Sequence, residues 1–430
     1  MTQNLIVLNG EWEVGRVHRA TNGKLSFIYD KGWQDLSNAY PISLSMPLTA
    51  SEHSHARIDA FLWGLLPDNE NILQRWAQQY HVSARNAFGL IANVGEDCAG
   101  AVQFVRQERL EQFKSEPSEE EVQWISEKDV ADRLRILRED HSAWRLAHDT
   151  GQFSLAGAQP KTTLLFKGGR WGIPSGRTPT THILKPPTGE WDGHAENEHF
   201  CLELARNLGL IVANSRVEQF LDEIAIVIER YDRVSASTGL VRVHQEDLCQ
   251  ALGLPPTKKY ENEGGPGVGN IVTLLRSRST NPEEDVSRFV DALAFNWLIG
   301  GTDAHAKNYS ILIGSGGVVR LAPLYDVASI LPYKAIDFQK ATLAMRIGEV
   351  YRIRDIGIRQ WYKLAAELHL PVDALIQRLR GFADALPDYI ADVRSRLITT
   401  LPHPIISRMA RQLTERSKKC AYLLTLKVVA

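Results

Sequence analysis

The sequence lacks the features that mark secreted, membrane-spanning and disulfide-stabilised proteins. Nowhere do about 18 apolar residues run together, which excludes an ordinary transmembrane helix. The amino terminus has no basic stretch followed by a long apolar segment, so no secretory signal is expected. The four cysteines are isolated, with no C-x-x-C pair, which argues against a zinc site and a disulfide framework. We therefore expect a cytoplasmic protein with reduced, mostly buried thiols.

A large charge excess of either sign is also absent. Lysine and arginine number 49 against 51 acidic residues, and the formal net charge is -2. This balance provides no overall electrostatic footprint for nucleic acid, so a role on DNA would need a local patch or a partner protein. Hydrophobic residues make up 44% and charged residues 23% of the 430 residues, which indicates a globular chain with room for two or three domains.

The first 110 residues predict a small α+β region. Asn22-Gly23, set between alternating apolar residues, predicts a β-hairpin. From about 57 to 80 the apolar residues follow a helical period that is interrupted at Pro67. The region contains no constellation of acid, base and ligand, so we expect it to have a structural or lid-forming role.

An exposed acidic linker is predicted at 114–121, with the sequence KSEPSEEE. Ser126 and Asp129 then form a capping-box pattern, which predicts a helix that continues to roughly Leu146. These features predict a boundary between the amino-terminal region and the rest of the chain.

The most informative stretch is residues 292–329, ALAFNWLIGGTDAHAKNYSILIGSGGVVRLAPLYDVAS. Asp303 is followed five positions later by Asn308, the offset that a kinase catalytic loop uses between its base and its metal-binding asparagine. The residues after Asn308 alternate, turn on glycines and alternate again, which predicts a β-hairpin that returns Asp326 to Asn308. Two oxygen ligands and a nearby carboxylate are what magnesium-dependent phosphoryl transfer requires. The stretch therefore predicts a kinase site.

Two lysines upstream are candidates for phosphate contacts. Lys185 closes a strand predicted from Thr181, a position from which its ammonium could reach phosphates; the alternative is an ordinary surface lysine. The run AGAQPKT has Lys161 where a Walker A loop has its phosphate-binding lysine. The residue before it is Pro160, not glycine, and proline has no N–H to give a phosphate, so a true P-loop is not expected.

Further elements follow from the pattern of the remaining residues. A strand that runs into Glu229-Arg230-Tyr231-Asp232 is typical of the hinge that a kinase presents to adenine, and a short helix is predicted at Glu246–Leu252. The residues from 355 to 430 are helical by pattern, with breaks expected at Pro371, Pro387 and Pro402 to Pro404. The last helix is basic, which indicates either a solvated face or a phosphate or partner contact; the basic residues are Arg408, Arg411, Arg416, Lys418 and Lys419.

Taken together, several ordered blocks resemble the HipA family of bacterial toxin kinases, the toxin half of type II toxin-antitoxin systems. The likeness runs over nearly the whole length. The blocks are FSLAGAQPKTTLL at 153–165, PTTHILKPP at 179–187, ENEHFCLELARNLGL at 196–210, IERYDR at 228–233, QEDLCQALGLPPTKKYENEGGPG at 245–267, FNWLIGGTDAHAKNYSI at 295–311 and LAPLYDV at 321–327.

The resemblance implies an α+β fold of the bilobed, protein-kinase-like (HipA-like) type. Such a fold has a β-rich N-terminal lobe with an extra small α+β subdomain and a mainly helical C-terminal lobe. The implied domains are a HipA N-terminal subdomain over 1–110, a kinase N-lobe with the phosphate loop, lysine strand and hinge over 111–234, and a helical C-lobe with the catalytic loop and metal-binding aspartate over 235–430.

The resemblance also assigns roles to matching residues. Asp303 matches the catalytic aspartate that accepts or orients the substrate hydroxyl proton, and Asn308 and Asp326 match the magnesium ligands. Ser154 matches an autophosphorylated serine, in a loop that in the family leaves the ATP site when modified. The implied ATP contacts are Ala156, Gly157, Lys161 and Lys185 at the phosphates, Glu229, Tyr231 and Asp232 at the hinge and ribose, and His305 and Tyr325 lining the nucleotide. The family's AGAQEKT reads AGAQPKT here, and Pro160 bears on how this loop is ordered.

By the same resemblance the chain is a toxin that uses ATP and Mg²⁺ to phosphorylate a serine or threonine of a cytosolic protein. The implied substrate is an aminoacyl-tRNA synthetase, with glutamyl-tRNA synthetase the first candidate, and the implied outcome is translation arrest, growth inhibition and persistence. The implied partner is a helix-turn-helix, HipB-like antitoxin that would make most of the contact with operator DNA; no membrane is involved. Two alternatives stay open: a mainly antitoxin-bound corepressor with little kinase activity, and a small-molecule kinase.

Overall fold

The computed structural model describes residues 3–114, 121–144, 153–189, 191–237 and 239–426. The predicted linker at 114–121 lies, apart from its two end residues, outside this set. The chain divides into two compact units. The first unit comprises Met1–Pro186, Glu218–Thr257 and Ser310–Arg320, and the second unit comprises Pro187–Val217, Lys258–Tyr309 and Leu321–Ala430. Across the described ranges, no helix is both long enough and apolar enough to cross a membrane.

Helices and strands alternate irregularly along the chain. The strands are β1 Gln3–Asn9, β2 Trp12–Arg19, β3 Leu25–Tyr29, β4 Glu52–His53, β5 Val102–Val105, β6 Val122–Ile125, β7 Thr162–Lys167, β8 Arg170–Pro174, β9 His182–Lys185, β10 Ser215–Phe220, β11 Glu223–Glu229, β12 Arg233–Ala236, β13 Gly239–Arg242, β14 His244–Asp247, β15 Ser310–Gly314, β16 Val318–Leu321, β17 Thr342–Ile347 and β18 Val350–Arg352. The helices are α1 Lys31–Gln34, α2 His55–Leu65, α3 Glu70–Tyr80, α4 Ala87–Val94, α5 Leu110–Lys114, α6 Glu127–Glu139, α7 His194–Asn207, α8 Leu248–Leu252, α9 Val268–Arg278, α10 Pro282–Ile299, α11 Ile358–Glu367, α12 Val372–Thr400 and α13 Pro404–Thr425.

An antiparallel sheet opens the first unit, with the strand order β4-β3-β2-β1-β5. The predicted hairpin at Asn22-Gly23 joins β2 to β3, and Gly23 adopts a φ of +82°, which glycine reaches without strain. Val17 and Phe27 pair across the two strands and are fully buried. The helical stretch predicted on both sides of Pro67 is confirmed as α2 and α3.

A second sheet of the first unit has the order β10-β11-β9-β7-β8-β6. Helix α6 packs on it, and its Val130 and Leu134 share a core with Leu164 of β7, Leu184 of β9 and Val227 of β11. Strand β9 pairs with a neighbour on each side, which fixes its register. Pairing with two neighbouring strands therefore fixes the position of β9 and of Lys185, its last residue and a predicted phosphate contact.

Helix α6 begins at the predicted capping box but is shorter than predicted. It ends at Glu139, so the expected extension to about Leu146 is wrong. Asp140 leaves the helical conformation with a ψ of 95°, and its carboxylate accepts a hydrogen bond from the backbone N–H of Ser142 at 2.9 Å. This local bond competes with continuation of the helix, which explains the early end.

Strands β14, β15 and β16 form a small sheet of their own. Strands β15 and β16 are joined through Ser315–Gly317, which confirms the predicted hairpin. Glu246 lies in β14 rather than in the helix predicted at Glu246–Leu252, which is therefore too long by its first residues. Asp247 caps α8 by accepting a hydrogen bond from the N–H of Gln250 at 2.9 Å, so the helix begins only after Asp247.

Helix α10 lies in the second unit, where it packs against α9, α12 and α13. Pro282 opens it and acidic residues fill its first turn, both favourable at a helix amino terminus. It ends at Gly300, whose φ of +70° provides a left-handed cap. Trp297 is buried edge-to-face against Trp361 of α11, with ring centroids 5.6 Å apart. The packed carboxy-terminal end of α10 therefore fixes where the loop after Gly300 begins.

Helix α12 passes through Pro387 without a break, so the break predicted there is wrong. A proline inside a helix has no N–H for the carbonyl four residues earlier, here that of Ala383. The hydroxyl of Ser417 on α13 donates to this carbonyl at 2.6 Å, and both residues are buried. The neighbouring helix thus satisfies the group that the proline leaves without a backbone donor. The breaks predicted at Pro371 and near Pro404 are confirmed, since α12 starts just after one and α13 starts at the other.

Arg416 does not belong to a solvated face of α13, which was one of the two interpretations of its basic residues. Its side chain is 5% exposed, stands over the ring of Trp297 at 5.6 Å and that of Phe338 at 5.2 Å, and donates to the Trp297 carbonyl at 2.9 Å. Burial lowers the pKa of the Arg416 guanidinium. Lys418 and Lys419 are exposed, as a solvated face predicts.

Candidate active site

The predicted catalytic aspartate lies on the loop that leaves α10. Gly301 follows the helix cap and donates its N–H to the carbonyl of Asn296 at 2.8 Å. A Cβ at Gly301 would lie 2.3 Å from the side-chain oxygen of Asn296, so this tight exit requires glycine. Asp303 follows with its side chain 68% exposed. A carboxylate presented in this way is accessible to a substrate hydroxyl.

Asn308 is attached to the backbone of Asp303. Its Nδ2 donates to the Asp303 carbonyl at 2.7 Å, and the N–H of His305 donates to the same oxygen at 2.8 Å. Because a carbonyl can only accept, the amide nitrogen of Asn308 must face Asp303, which leaves Oδ1 for another partner. The structure therefore brings together the two residues whose spacing suggested the site.

Asp326 has a φ of +57°, a left-handed conformation that is uncommon for a residue with a side chain. Leu324, just before it, donates its N–H to the carbonyl of Ile211 at 2.9 Å. Ser329, just after it, is held by the buried amide of Asn197, which donates to the Ser329 carbonyl at 2.8 Å and accepts from its N–H at 3.0 Å. Anchors on both sides thus hold a backbone that would be strained in isolation.

His305 lies beside Asp303, with its Nε2 4.0 Å from Oδ1 of the aspartate. It is buried, and burial lowers the pKa of its imidazole, while the charges of Asp303 and Asp326 act in the opposite direction. The hydroxyl of Tyr325 donates to the Lys307 carbonyl at 2.8 Å and ties the two segments together.

Tyr260 is a residue of this site that sequence reasoning missed. Its hydroxyl donates to Oδ1 of Asp303 at 2.6 Å, and its ring stands edge-on to that of His305 at 4.9 Å. The tyrosine and the aspartate are separated by 43 positions, so no local spacing signals the contact. Asn197, 132 positions from its partner Ser329, was missed for the same reason.

The oxygen atoms of Asn308 and Asp326 fit a magnesium ion chemically. Within the described residues, no group of three or more His, Cys, Asp or Glu side chains is arranged to hold a metal. Magnesium does not require such a group, because it is commonly bound through one or two protein oxygens and completes its shell with water and phosphate. One amide oxygen and one carboxylate therefore suit Mg²⁺ better than a transition metal.

In the first unit, the loop that contains Ser154 is tightly held. The Ser154 side chain is 0% exposed and its hydroxyl donates to the Leu65 carbonyl at 2.8 Å, while its N–H donates to the Asp97 carbonyl at 3.0 Å. Further along the loop, the N–H of Asp68 donates to the Gly157 carbonyl at 3.0 Å. Ser154 therefore has no exposed hydroxyl in this conformation.

The two candidate phosphate lysines are both buried. Lys185 is 6% exposed, so its interpretation as an ordinary surface lysine is wrong. Nζ of Lys161 donates to the Ala156 carbonyl at 2.6 Å and stands 4.9 Å over the ring of Trp144. Gly157 has a φ of +105°, and a Cβ there would lie 2.5 Å from Nζ of Lys161. In this conformation the ammonium group of Lys161 is hydrogen-bonded to the backbone of its own loop.

The predicted hinge, residues 229–232, lies inside the first unit, where it connects β11 with β12. Glu229 is exposed. The hydroxyl of Tyr231 donates to the side chain of Gln245, and burial raises the pKa of Tyr231. The buried carboxylate of Asp232 accepts hydrogen bonds from the N–H of Gly100 at 2.7 Å and from Gln245 at 3.2 Å. A nucleotide hydroxyl that approached Asp232 would have to compete with these donors.

Asp232 also belongs to a buried ion cluster of the first unit, formed by Asp97, Arg230, Asp232, Arg233 and Arg242. The shortest ion pairs join Arg233 to Asp97 at 2.9 Å and Arg230 to Asp232 at 2.9 Å, and Arg242 lies 3.1 Å from Asp97. Burial alone would raise the pKa of Asp97, but the three guanidinium groups outweigh it and hold that pKa well below its usual range. The same balance lowers the pKa of Asp232 to about 2.

Comparisons with known proteins identify the family of this chain. The family model of the HipA N-terminal domain matches residues 5–105, and that of the HipA-like C-terminal domain matches residues 153–390. The candidate kinase Y4mE of Sinorhizobium fredii is 36% identical over 392 residues, which are 90% of this chain and 91% of Y4mE. The serine/threonine-protein kinase toxin HipA of Shewanella oneidensis is 32% identical over 388 residues, which are 87% of this chain and 85% of that toxin.

The solved structure of Shewanella oneidensis HipA, in its complex with HipB and operator DNA, matches with a TM-score of 0.84 at 28% identity and covers 99% of this chain and 100% of that chain. This match confirms the predicted α+β, HipA-like fold. The names of the relatives confirm the predicted enzyme class, a kinase. The two matching family models and the relatives of nearly full length show that the chain belongs to the HipA family of serine/threonine kinase toxins.

Proposed function

We propose that the chain transfers the γ-phosphoryl group of ATP to a serine or threonine of a cytosolic protein and thereby acts as a toxin. The observation that best supports this proposal is the arrangement of Asp303, Asn308 and Asp326 in the second unit. An exposed carboxylate lies beside a fixed amide whose oxygen remains available, and Asp326 follows Tyr325, whose hydroxyl donates to the Lys307 carbonyl. These are the groups that phosphoryl transfer needs, because its catalysis consists of positioning and charge stabilisation.

In the proposed reaction, Asp303 accepts the proton of the substrate hydroxyl as that oxygen forms a bond to the γ-phosphorus. The bond between the γ-phosphorus and the bridging oxygen breaks, and ADP leaves with the electron pair. A bound magnesium ion would neutralise charge on the phosphate oxygens, and Asn308 and Asp326 are the residues that would hold it.

The nucleotide contacts that we propose are those that the family resemblance assigns. In the first unit Lys185 would bind the phosphates from the end of β9, and its burial favours a functional contact over a solvated position. The other proposed contacts are Ala156, Gly157, Lys161, Glu229, Tyr231, Asp232, His305 and Tyr325.

We also propose that Ser154 is the site of self-inactivation. Because its hydroxyl is buried and bonded to the Leu65 carbonyl, it can accept a phosphoryl group only after its loop moves. A phosphate adds roughly -1.5 to -2 of charge, and the space around Ser154 has no exposed surface to hydrate it. The modified loop would therefore stay out of its present position, and ATP phosphates would repel it.

The substrate we propose is an aminoacyl-tRNA synthetase, with glutamyl-tRNA synthetase the first candidate, so that the toxin would arrest translation, inhibit growth and promote persistence. The test is label transfer from [γ-³²P]ATP, followed by phosphoproteomics of cells that express the chain. Asp303→Asn should abolish transfer while the variant still folds and binds ATP. Asp392→Asn, which changes an exposed aspartate on α12, provides the matched control. Undiminished transfer in the Asp303 variant would count against the proposal, and a phosphorylated metabolite without a modified protein would favour a small-molecule kinase.

A second candidate function is corepression with a helix-turn-helix antitoxin. The related Shewanella oneidensis structure contains HipA with HipB and operator DNA, which favours this role. Since the net charge is -2, the antitoxin would make most of the DNA contact. A gel shift with this chain alone should fail and should succeed once the antitoxin is added. Growth arrest by the wild type but not by Asp303→Asn would assign toxicity to the kinase; no arrest by either would leave corepression as the main role.

A further inference from the structure

The candidate base Asp303 is held by a residue that comes from a distant part of the second unit. The hydroxyl of Tyr260 donates to Oδ1 of Asp303 at 2.6 Å. A hydrogen bond to an ionised carboxylate is among the stronger ones in proteins, and this length is typical of that class. Because the aspartate side chain is 68% exposed, packing alone does not fix its rotamer.

Backbone hydrogen bonds at Lys259 and at Tyr260 itself fix the position of the tyrosine. The carbonyl of the preceding residue, Lys259, accepts a hydrogen bond from the N–H of Ala306 at 3.2 Å, which ties the tyrosine loop to the catalytic loop. The carbonyl of Tyr260 accepts from the N–H of Gly265 at 2.9 Å. A Cβ at Gly265 would lie 2.2 Å from the Lys258 carbonyl, so this turn closes only with glycine.

The following residue is anchored as well. Glu261 accepts a hydrogen bond from the N–H of Arg346 on β17 at 2.8 Å, and it also forms an ion pair with the guanidinium of the same arginine at 3.0 Å. The ring of Tyr260 packs edge-on against buried His305. Contacts before, at and after the tyrosine therefore present its hydroxyl at a defined place.

We propose that Tyr260 is a positioning residue for phosphoryl transfer, an inference that rests on the kinase function proposed above. The hydrogen bond from its hydroxyl to Oδ1 orients the Asp303 carboxylate so that Oδ2 faces the substrate hydroxyl. Without this bond the exposed carboxylate samples several rotamers, and only one of them accepts the proton. The tyrosine acts through the aspartate, so it affects the chemical step and not the binding of ATP.

The experiment measures single-turnover transfer from [γ-³²P]ATP to the chain itself and to glutamyl-tRNA synthetase over a range of ATP concentrations. Tyr260→Phe removes the hydroxyl and keeps the ring against His305. We expect its maximal rate to fall roughly tenfold or more, the size of a lost hydrogen bond to a charged group. The ATP concentration at half-maximal rate and the circular dichroism spectrum should stay as in the wild type. Tyr422→Phe, at an exposed tyrosine of α13, is the matched control and should behave as wild type.

Restoring a donor at the same place separates positioning from a general structural effect. The chain with 4-aminophenylalanine at position 260 has an N–H where the phenol had its O–H, and it should recover most of the lost rate. An unchanged or raised rate in Tyr260→Phe, weakened ATP binding alongside the lost rate, or no recovery with the amino group would overturn the inference. A wild-type chain that transfers no phosphate to either acceptor would instead overturn the proposed kinase function, and this inference with it.

Discussion

Replacing Asp97 by asparagine tests the buried ion cluster of the first unit. Asp97 lies 2.9 Å from Arg233, 3.1 Å from Arg242 and 3.4 Å from Arg230. Asparagine has nearly the same shape but no charge. The variant would leave three buried guanidinium groups with Asp232 as the remaining carboxylate of the cluster.

The expected loss of stability is large because the charges lack solvent. Removing one partner of a buried ion pair costs about 3 to 5 kcal/mol. The same substitution at Asp222, which is 69% exposed and paired with Arg135 at 2.7 Å, provides the control. A surface pair of that kind is worth about 0 to 1 kcal/mol. The difference should appear as a urea midpoint lower by on the order of 1 M for Asp97→Asn.

Urea unfolding at pH 7, followed by tryptophan fluorescence and by circular dichroism, measures both variants. The pH dependence gives a second check. Since the pKa of Asp97 and that of Asp232 are lowered in the folded state, their stabilisation is complete above the ordinary value of 3.8 and is lost as pH falls towards about 2. Asp97→Asn should therefore lose less stability than the wild type over that acid range. A midpoint shift no larger than that of Asp222→Asn would refute the reasoning.

Two further predictions concern other buried groups. Burial raises the pKa of Glu246 from 4.5 to about 8, although the N–H of Leu44 donates to its carboxylate at 2.7 Å. The free energy of unfolding should therefore fall as the pH rises from 4.5 to about 8. Glu246→Gln should remove this pH dependence, measured as the difference between urea midpoints at about pH 5 and about pH 9. Equal slopes for variant and wild type would contradict the prediction. Ser417→Ala should cost about 1 to 3 kcal/mol in urea unfolding, because it leaves the Ala383 carbonyl unsatisfied. On a Pro387→Ala background, where a backbone N–H is restored, the cost should be smaller; the same loss on both backgrounds would exclude this explanation.

The sequence predicted the features of the site that depend on neighbouring residues. Asp303 and Asn308 lie in one short loop, so their spacing alone indicated that they meet, and the structure joins them through a hydrogen bond of 2.7 Å. The hairpin after Asn308 was equally local, since alternation and glycines determine it. The roles of these residues in metal binding and catalysis stay predictions.

Contacts between distant residues could not be predicted in this way. Tyr260 reaches Asp303 across 43 positions, and Arg230 reaches Asp97 across 133. Neither contact leaves a periodic or spaced pattern. Pro387 was interpreted as a break because the local rule is correct for an isolated helix, whereas the partner that rescues it comes from another helix. The burial of Arg416 could not be predicted, because charge alone does not reveal that aromatic rings cover the guanidinium.

The carboxy-terminal helix α13 has a practical consequence for how this protein is handled. The family model ends at residue 390, within α12, and does not include α13. Yet Ser417 supplies the hydroxyl that completes α12, and Arg416 donates to the last turns of α10, the helix that leads into the Asp303 loop. A polypeptide that ends at residue 390 would lose these contacts of α13 with α10 and α12. Recombinant versions should therefore extend at least to residue 425, and a fusion tag should follow that residue.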